Sequence, residues 1–260
     1  MKLLAGSRQG RCEPANVNPC PNEVTKMALI KFGGGITAMS GSIAGNTFAR
    51  NRFGYYSRAR TKPVNPKSPH QSQMRGILSY LAEAWHEILD DTMRGQWETY
   101  AAAISKKNRL GEGIKLTGFQ HFIAGNSLRL QNGLALAEHG PDELSLPPTD
   151  KSWAVIGSSN SQLLKVTYDP TADWAKEVGG ALIGFEGRPQ LNTRNFFNGP
   201  WQRTGGIYGI VDPPITTYDF TPVFPLITGQ RIWVAGRIIR LDGRISTRFV
   251  ADCVVEAAFP

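Results

Sequence analysis

The apolar positions of this chain change their spacing along its length, and the spacing predicts its elements. From Ile77 to Leu89 they fall at Ile77, Leu78, Leu81, Trp85, Ile88 and Leu89, steps of three and four that lay one stripe along a helix. Ser68 stands before it as an N-cap. Pro69 takes the first helical position, where its missing N–H would have had no partner anyway. The stripe breaks at Asp90-Asp91. A second helix is predicted from about Thr92 to Lys106, with Met93, Trp97, Tyr100, Ala101 and Ile104 on its face. The short connector predicts an antiparallel pair of helices with Trp85 and Trp97 near a shared core. Thr117-Gly-Phe-Gln120 has the capping-box pattern and starts a third helix through Phe119, Phe122, Ile123, Leu128 and Leu130, stopped by Asn132-Gly133. Gly111-Glu-Gly113 reads as a turn between helices.

Beyond a Pro- and Gly-containing stretch at 140–152, read as a linker, the period shortens to two. Leu163 to Tyr168, Ala181 to Phe185, Arg231 to Ile239 and Phe249 to Ala257 read as strands, with a tight turn at Leu241-Asp-Gly-Arg244. Short strands without helical pattern between them predict a β-sandwich over 153–260, immunoglobulin-like or fibronectin-like in architecture but without the Cys-Trp-Cys framework of antibody domains.

The segment 27–67 is different again. Six glycines between Gly33 and Gly54 argue against a helix. Phe48 and Arg50 alternate on one side of Asn51 to Gly54 and Tyr56, Arg58 and Arg60 on the other, which predicts a hairpin. Such flat, Gly-rich strands fix their register weakly and call for a partner chain or surface to order them. The first 26 residues, with Pro14, Pro19 and Pro21 and too short an apolar run for a secretory signal, are expected to be a flexible arm or a non-native start ahead of Met27. The expected whole is an α+β multidomain chain: this stretch, a basic Gly-rich β-hairpin arm (27–67), a three-helix segment (68–139), the linker, and the sandwich.

Charge sharpens that division. The 260 residues have a formal net charge of +8. Residues 24–82 hold nine Lys and Arg and no Asp or Glu, while 83–260 hold 17 basic against 19 acidic residues. The basicity therefore belongs to the arm. Arg50, Arg52, Arg58 and Arg60 interleave with Phe53, Tyr55 and Tyr56, and Lys62, Lys67 and Arg75 follow. Guanidinium groups pair with phosphate and aromatic rings stack on bases, so DNA or RNA is one partner this segment suits. A basic edge that blocks strand aggregation, or docks on an acidic protein, is the other reading.

Enzyme patterns fail one after another. Glu83-Ala-Trp-His86 has the spacing of a di-iron helix but no second copy, and His86 to Asp90 lacks the closing His of a zinc protease. His121, beside Phe122, reads as helix packing. There is no Gly-x-Ser-x-Gly elbow, and Gly33-Gly34-Gly35 has no following Gly-Lys-Ser/Thr. Cys12 and Cys20 match no zinc spacing, and Cys253 reads as a small buried hydrophobe. No catalytic, cofactor-binding or metal-ligating residues are expected, and no apolar run is long enough for a membrane span. Trp153, Trp174, Trp201, Tyr208 and Tyr218 raise a carbohydrate-binding sandwich as a third reading, although core and loop packing account for them more simply.

The stretch Ile36 to Arg75, with Gly41-Ser-Ile-Ala-Gly45, Phe48-Ala-Arg50, Gly54-Tyr-Tyr-Ser-Arg58, Pro63-Val-Asn-Pro66 and Gln71-Ser-Gln-Met-Arg75, resembles the opening of uncharacterised phage and prophage-associated proteins. Trp85, Trp97, Asn108 and Gly118 follow in similar order, ahead of a C-terminal β domain; the 26 residues before Met27 depart from the pattern. The resemblance implies a non-enzymatic virion structural or assembly protein, located in the virion or the host cytoplasm. Its partners would be other virion subunits in an oligomer. It carries over no catalytic residues.

Overall fold

The computed structural model describes residues 28–61, 65–108, 110–210 and 216–259. The expected start at 1–26, Met27 and Lys62 lie outside them. The chain divides into two compact units, Met1–Asn65 and Pro66–Pro260, and its architecture is mixed α+β with antiparallel sheets.

In the first unit four strands pair in the order β1-β4-β3-β2: β1 Ala28–Ile30, β2 Gly41–Ile43, β3 Asn46–Asn51 and β4 Gly54–Ala59. The expected hairpin is β3–β4, closing at Asn51↔Gly54. Its turn is held by the Phe53 N–H donating to Asn51 Oδ1 at 2.9 Å. The flanking strands β1 and β2 have no alternation of their own and are added by pairing. No described side chain of this sheet is buried.

The second unit begins with three helices: α1 Pro69–Glu87, α2 Asp91–Ala103 and α3 Gly118–Gln131. Ser68 caps α1, accepting from the Gln71 N–H, and both bonds of the Thr117–Gln120 capping box are present on α3. Both α1 and α2 pack chiefly on α3, where the short connector led us to expect them to pair with each other. Trp85 and Trp97 do share one core, because Phe122 of α3 stands between them, with ring centroids 5.3 and 5.6 Å away. The second helix also ends sooner than its apolar face predicts. Ile104 is extended, and Ser105–Lys107 (β5) pairs with Gly113–Lys115 (β6). Asn108 forms this turn, its Oδ1 accepting from the N–H groups of Leu110 and Glu112 at 2.9 and 3.0 Å. The stretch 111–113 is thus half turn and half strand.

Among the described residues eight strands follow: β7 Ala154–Ser158, β8 Leu163–Thr167, β9 Ala181–Gly187, β10 Gln190–Leu191, β11 Trp201–Tyr208, β12 Thr217–Phe220, β13 Gln230–Ile239 and β14 Phe249–Val254. A four-residue helix, α4 Asp173–Lys176, precedes β9. One sheet has the order β10-β13-β9-β11 with β14 also on β13; the other is β12-β8-β7. Their facing sides share an apolar core built from Val155, Leu164, Val166, Leu182, Phe220, Ile232, Val234 and Ile238. No closed barrel forms among the described residues. The far side of the five-stranded sheet is covered at one end by α3, where Leu128 meets Ala181, Ile183 and Ile239. Residues 140–152 run between the layers: the Gly140 N–H donates to Gln96 Oε1 at 3.1 Å, and Arg244 donates to Glu143 at 2.8 Å and to the Ser145 carbonyl at 3.3 Å.

Candidate functional site

Strand register decides which basic residues can act together, since cross-strand partners share a face. Arg50 opposes Tyr55 and Phe48 opposes Ser57, so Arg50, Tyr55, Phe48 and Ile30 lie on one side of the first sheet. The Arg50 guanidinium sits 5.2 Å from the Tyr55 ring centroid, and Phe32 meets the same ring edge-on at 5.1 Å. Arg58 opposes Thr47 and leaves by the other side with Tyr56 and Leu29. Arg52 and Phe53 occupy the turn, and Arg60 lies past the strand end, its N–H donating to the Gly45 carbonyl at 2.8 Å. All four arginines are exposed and the three aromatics half-buried. Lys67 and Arg75 belong to the second unit, Lys67 immediately before the α1 cap and Arg75 within α1.

A second arginine-aromatic group, which periodicity does not flag, lies on the second unit. The outer face of the five-stranded sheet carries Arg231, Trp233, Ala235 and Arg237 from β13, Ile183 and Phe185 from β9, and Trp201 and Arg203 from β11. Arg203 opposes Phe185, and a register shift follows at once, before Gly205. The Arg248 guanidinium lies 5.7 Å from the Phe185 centroid and 5.5 Å from that of Trp201. Phe197 stacks on Trp233 at 5.6 Å and meets Trp201 edge-on at 5.0 Å. Arg237 donates to the Ser246 carbonyl at 3.2 Å; burial first, and the charge of Arg248 second, lower its pKa. Lys106 of β5 is lowered in the same way, by burial and then by Arg237.

A cleft of about 490 Å³ is lined by Pro147 to Ser152, Asp169, Thr171 to Trp174, Ile238 and Arg240. Its size suits a small ligand. Asp150 accepts from the Ser152 N–H at 2.8 Å and hydroxyl at 2.7 Å and from the Asp169 N–H at 2.9 Å. Asp169 accepts from the Thr171 hydroxyl at 2.6 Å, which with the Thr171 N–H holds its carboxyl below the usual range. That is the wrong direction for a general acid. Asp173 faces Arg240 at 3.5 Å. The cleft can hold a polar molecule, but its carboxylates are engaged in local turns and an ion pair.

The remaining candidates fall into packing. Glu83 and His86 are exposed on α1. His121 is buried against Tyr100, its Nε2 without a partner among the described residues, and burial pushes its pKa down to about 4. Cys253 is half-buried, and burial pushes its thiol up to about 11, far from a nucleophile's range. Trp153 and Trp174 sit in the shared core, while Tyr208 and Tyr218 are exposed. Among the described residues no cluster of three or more His, Cys, Asp or Glu could hold a metal, and no helix is long and apolar enough to cross a membrane.

No protein-family model matches the chain, and no curated protein matches it. Among solved structures, the β-1,2-glucanase from Parabacteroides distasonis aligns with 44% of this chain at 9% identity and a TM-score of 0.26, and the chain spans only 14% of that protein's length. A likeness this slight carries no argument about fold or activity.

Proposed function

We propose that the chain is a non-enzymatic structural or assembly protein of a bacterial virus, acting in the virion or the host cytoplasm, whose basic N-terminal sheet makes protein–protein contacts with neighbouring subunits. The observation that carries this reading is the contrast between the two units. The second buries a full apolar core, whereas the described part of the first is a four-stranded sheet that buries no side chain. A sheet of that kind gains little from burying apolar surface and leaves strand edges open to another chain. Its exposed cations then select an acidic neighbour. The same arginines suit a phosphate backbone less well, because Arg50 and Arg58 leave opposite faces and cannot follow one strand together. In this reading the two facing sheets of residues 153–260 are an immunoglobulin-like or fibronectin-like sandwich, consistent with their shared core.

The test is sedimentation of the full chain over a concentration series, with and without phage structural proteins expressed beside it. Oligomers or co-sedimenting particles that are lost in Arg50→Glu/Arg58→Glu are expected. A chain that stays monomeric at every concentration and never travels with particles would sink the proposal.

A further inference from the structure

The part of the five-stranded sheet's outer face that α3 leaves open gathers several cations. Register sets Arg203 beside Phe185 and puts Arg237 on the same face, next to Ile183. Arg248 reaches over Phe185 and Trp201 from the segment before β14. The β5–β6 hairpin brings in Lys106, close enough to Arg237 for the two charges to oppose each other.

These four cations have no carboxylate among the described residues. Asp252, on the same face, is 3.6 Å from Arg231. The side chains of Arg203, Arg248 and Lys106 make no hydrogen bond or ion pair among the described residues, and that of Arg237 makes a single bond, to a backbone carbonyl. Like charges gathered without a counter-ion repel, and the lowered pKa values of Lys106 and Arg237 register that cost on top of burial. Elsewhere in this unit Arg240 is paired with Asp173 and Glu177 and Arg244 with Asp242 and Glu143, and the buried Arg129 is held by three backbone carbonyls, whereas this cluster has one such bond among four cations. The missing negative charge on this face is therefore expected from outside.

We infer that this face, with Arg203 and Arg248 beside Phe185 and Trp201, Arg237 on the same face and Lys106 near Arg237, binds the phosphate backbone of a single-stranded nucleic acid. A polymer fits better than a small anion because the cations are spread over a sheet surface; the cleft described above shares none of these residues. A nucleic acid fits because rings stand among the charges: Trp201 and Phe197 meet edge-on and are half-buried. Guanidinium–phosphate pairing and base stacking can then act along one strand. This surface is separate from the residues of the proposed N-terminal contact, and either assignment can fail without the other.

The test is fluorescence anisotropy of a labelled oligothymidylate titrated with the full chain at several salt concentrations. Four phosphate contacts predict a log–log salt slope of about −3, at roughly 0.7 per contact on a single strand. Arg203→Ala/Arg248→Ala changes two exposed side chains and should keep the wild-type thermal melt while the slope shrinks by about 1.4. Arg50→Ala/Arg58→Ala should leave the slope unchanged. An unaltered slope in the first variant overturns the inference, as does a slope lost only in the second. Unlabelled poly-glutamate competing as well as unlabelled oligothymidylate would also overturn it, by making the face a site for acidic protein.

Discussion

Arg129, 1% exposed near the end of α3, joins the helices to the sheet: its guanidinium donates to the carbonyls of Ala135 at 2.8 Å, Gly179 at 3.0 Å and Arg240 at 2.7 Å. Burial lowers its pKa, with Glu177 and Asp242 acting the other way. Arg129→Leu would leave the Ala135 and Gly179 carbonyls without a donor, the Arg240 carbonyl keeping the Gly243 N–H at 3.1 Å, and is expected to cost about 3–5 kcal/mol in urea unfolding, with Arg129→Lys recovering only part because one ammonium cannot replace the fork. Two further buried groups carry opposing pH dependences. Glu186 is 0% exposed and accepts from the N–H groups of Val223 at 2.7 Å and Phe224 at 3.4 Å. Burial outweighs those bonds and raises its carboxyl from 4.5 to about 7. Between those values the folded chain keeps a proton that the unfolded chain has lost, so this group's contribution, on the order of 3 kcal/mol, disappears as pH rises from 4.5 to about 7. His121, lowered from 6.5 to about 4, does the reverse: the unfolded chain binds the extra proton, and stability is lost as pH falls through that window. The two slopes offset each other between about pH 4.5 and 6.5. Glu186→Gln should therefore expose a stability that rises with pH there, and His121→Phe one that falls, both read from urea midpoints at pH 4.5, 5.5 and 6.5. A variant profile as flat as the wild type would contradict the assignment.

At the scale of elements, α3 is the piece that the others are built around, and one glycine lets it lie where it does. A Cβ on Gly125 would run into the carbonyl of Gly243, in the turn between β13 and β14, where Gly243 itself has a φ of +83°. Gly125→Ala must push the helix off that turn and is expected to cost roughly 1–3 kcal/mol or more, whereas Thr117→Ala at the helix start should cost about 1 kcal/mol. Thermal melts of the two variants would rank them, and a neutral Gly125→Ala would mean that the helix shifts freely. The start of α3 was legible in the sequence because Thr117 and Gln120 bond within one turn, and Ser68-Pro69 marked α1 for the same reason. Gly125 was not legible, since its partner is 118 residues away and no local pattern points to it. The β5–β6 hairpin was hidden because Ile104 continues the apolar face of α2 and three-residue strands are too short to show alternation. β11 was missed because Gly205, Gly206 and the register shift after Arg203 break its period.

For the whole molecule, charge along the sequence marks the basic segment but not the face that carries Arg203, Arg237 and Arg248 with Lys106 near it. Those residues lie in a stretch whose net charge is slightly negative, and only strand register and the hairpin after α2 collect them. The converse holds for the first unit, where closeness in sequence gathers the arginines and the pleat separates them. The two units also differ in what stabilises them. β9 and β13 lie in a core whose members Leu182, Ile183, Ile232 and Val234 are all 0% exposed, so their amides should open only with global unfolding. The four strands of the first unit have hydrogen bonds and partly exposed rings but no buried side chain, and the turn entering β3 places Ala44 at a φ of 49°, which an L-residue tolerates poorly. In the monomeric chain, amides at 46–59 should therefore exchange with solvent at least about a thousandfold faster than those of β9 and β13, and Ala44→Gly should slow them only slightly. If the first sheet is ordered by neighbouring subunits, the same amides become protected once the chain assembles while β9 and β13 do not change. Hydrogen exchange read by mass spectrometry on monomer and assembly separates the two cases: protection at 46–59 already matching β13 in the monomer would mean that the sheet is stable alone and needs no partner.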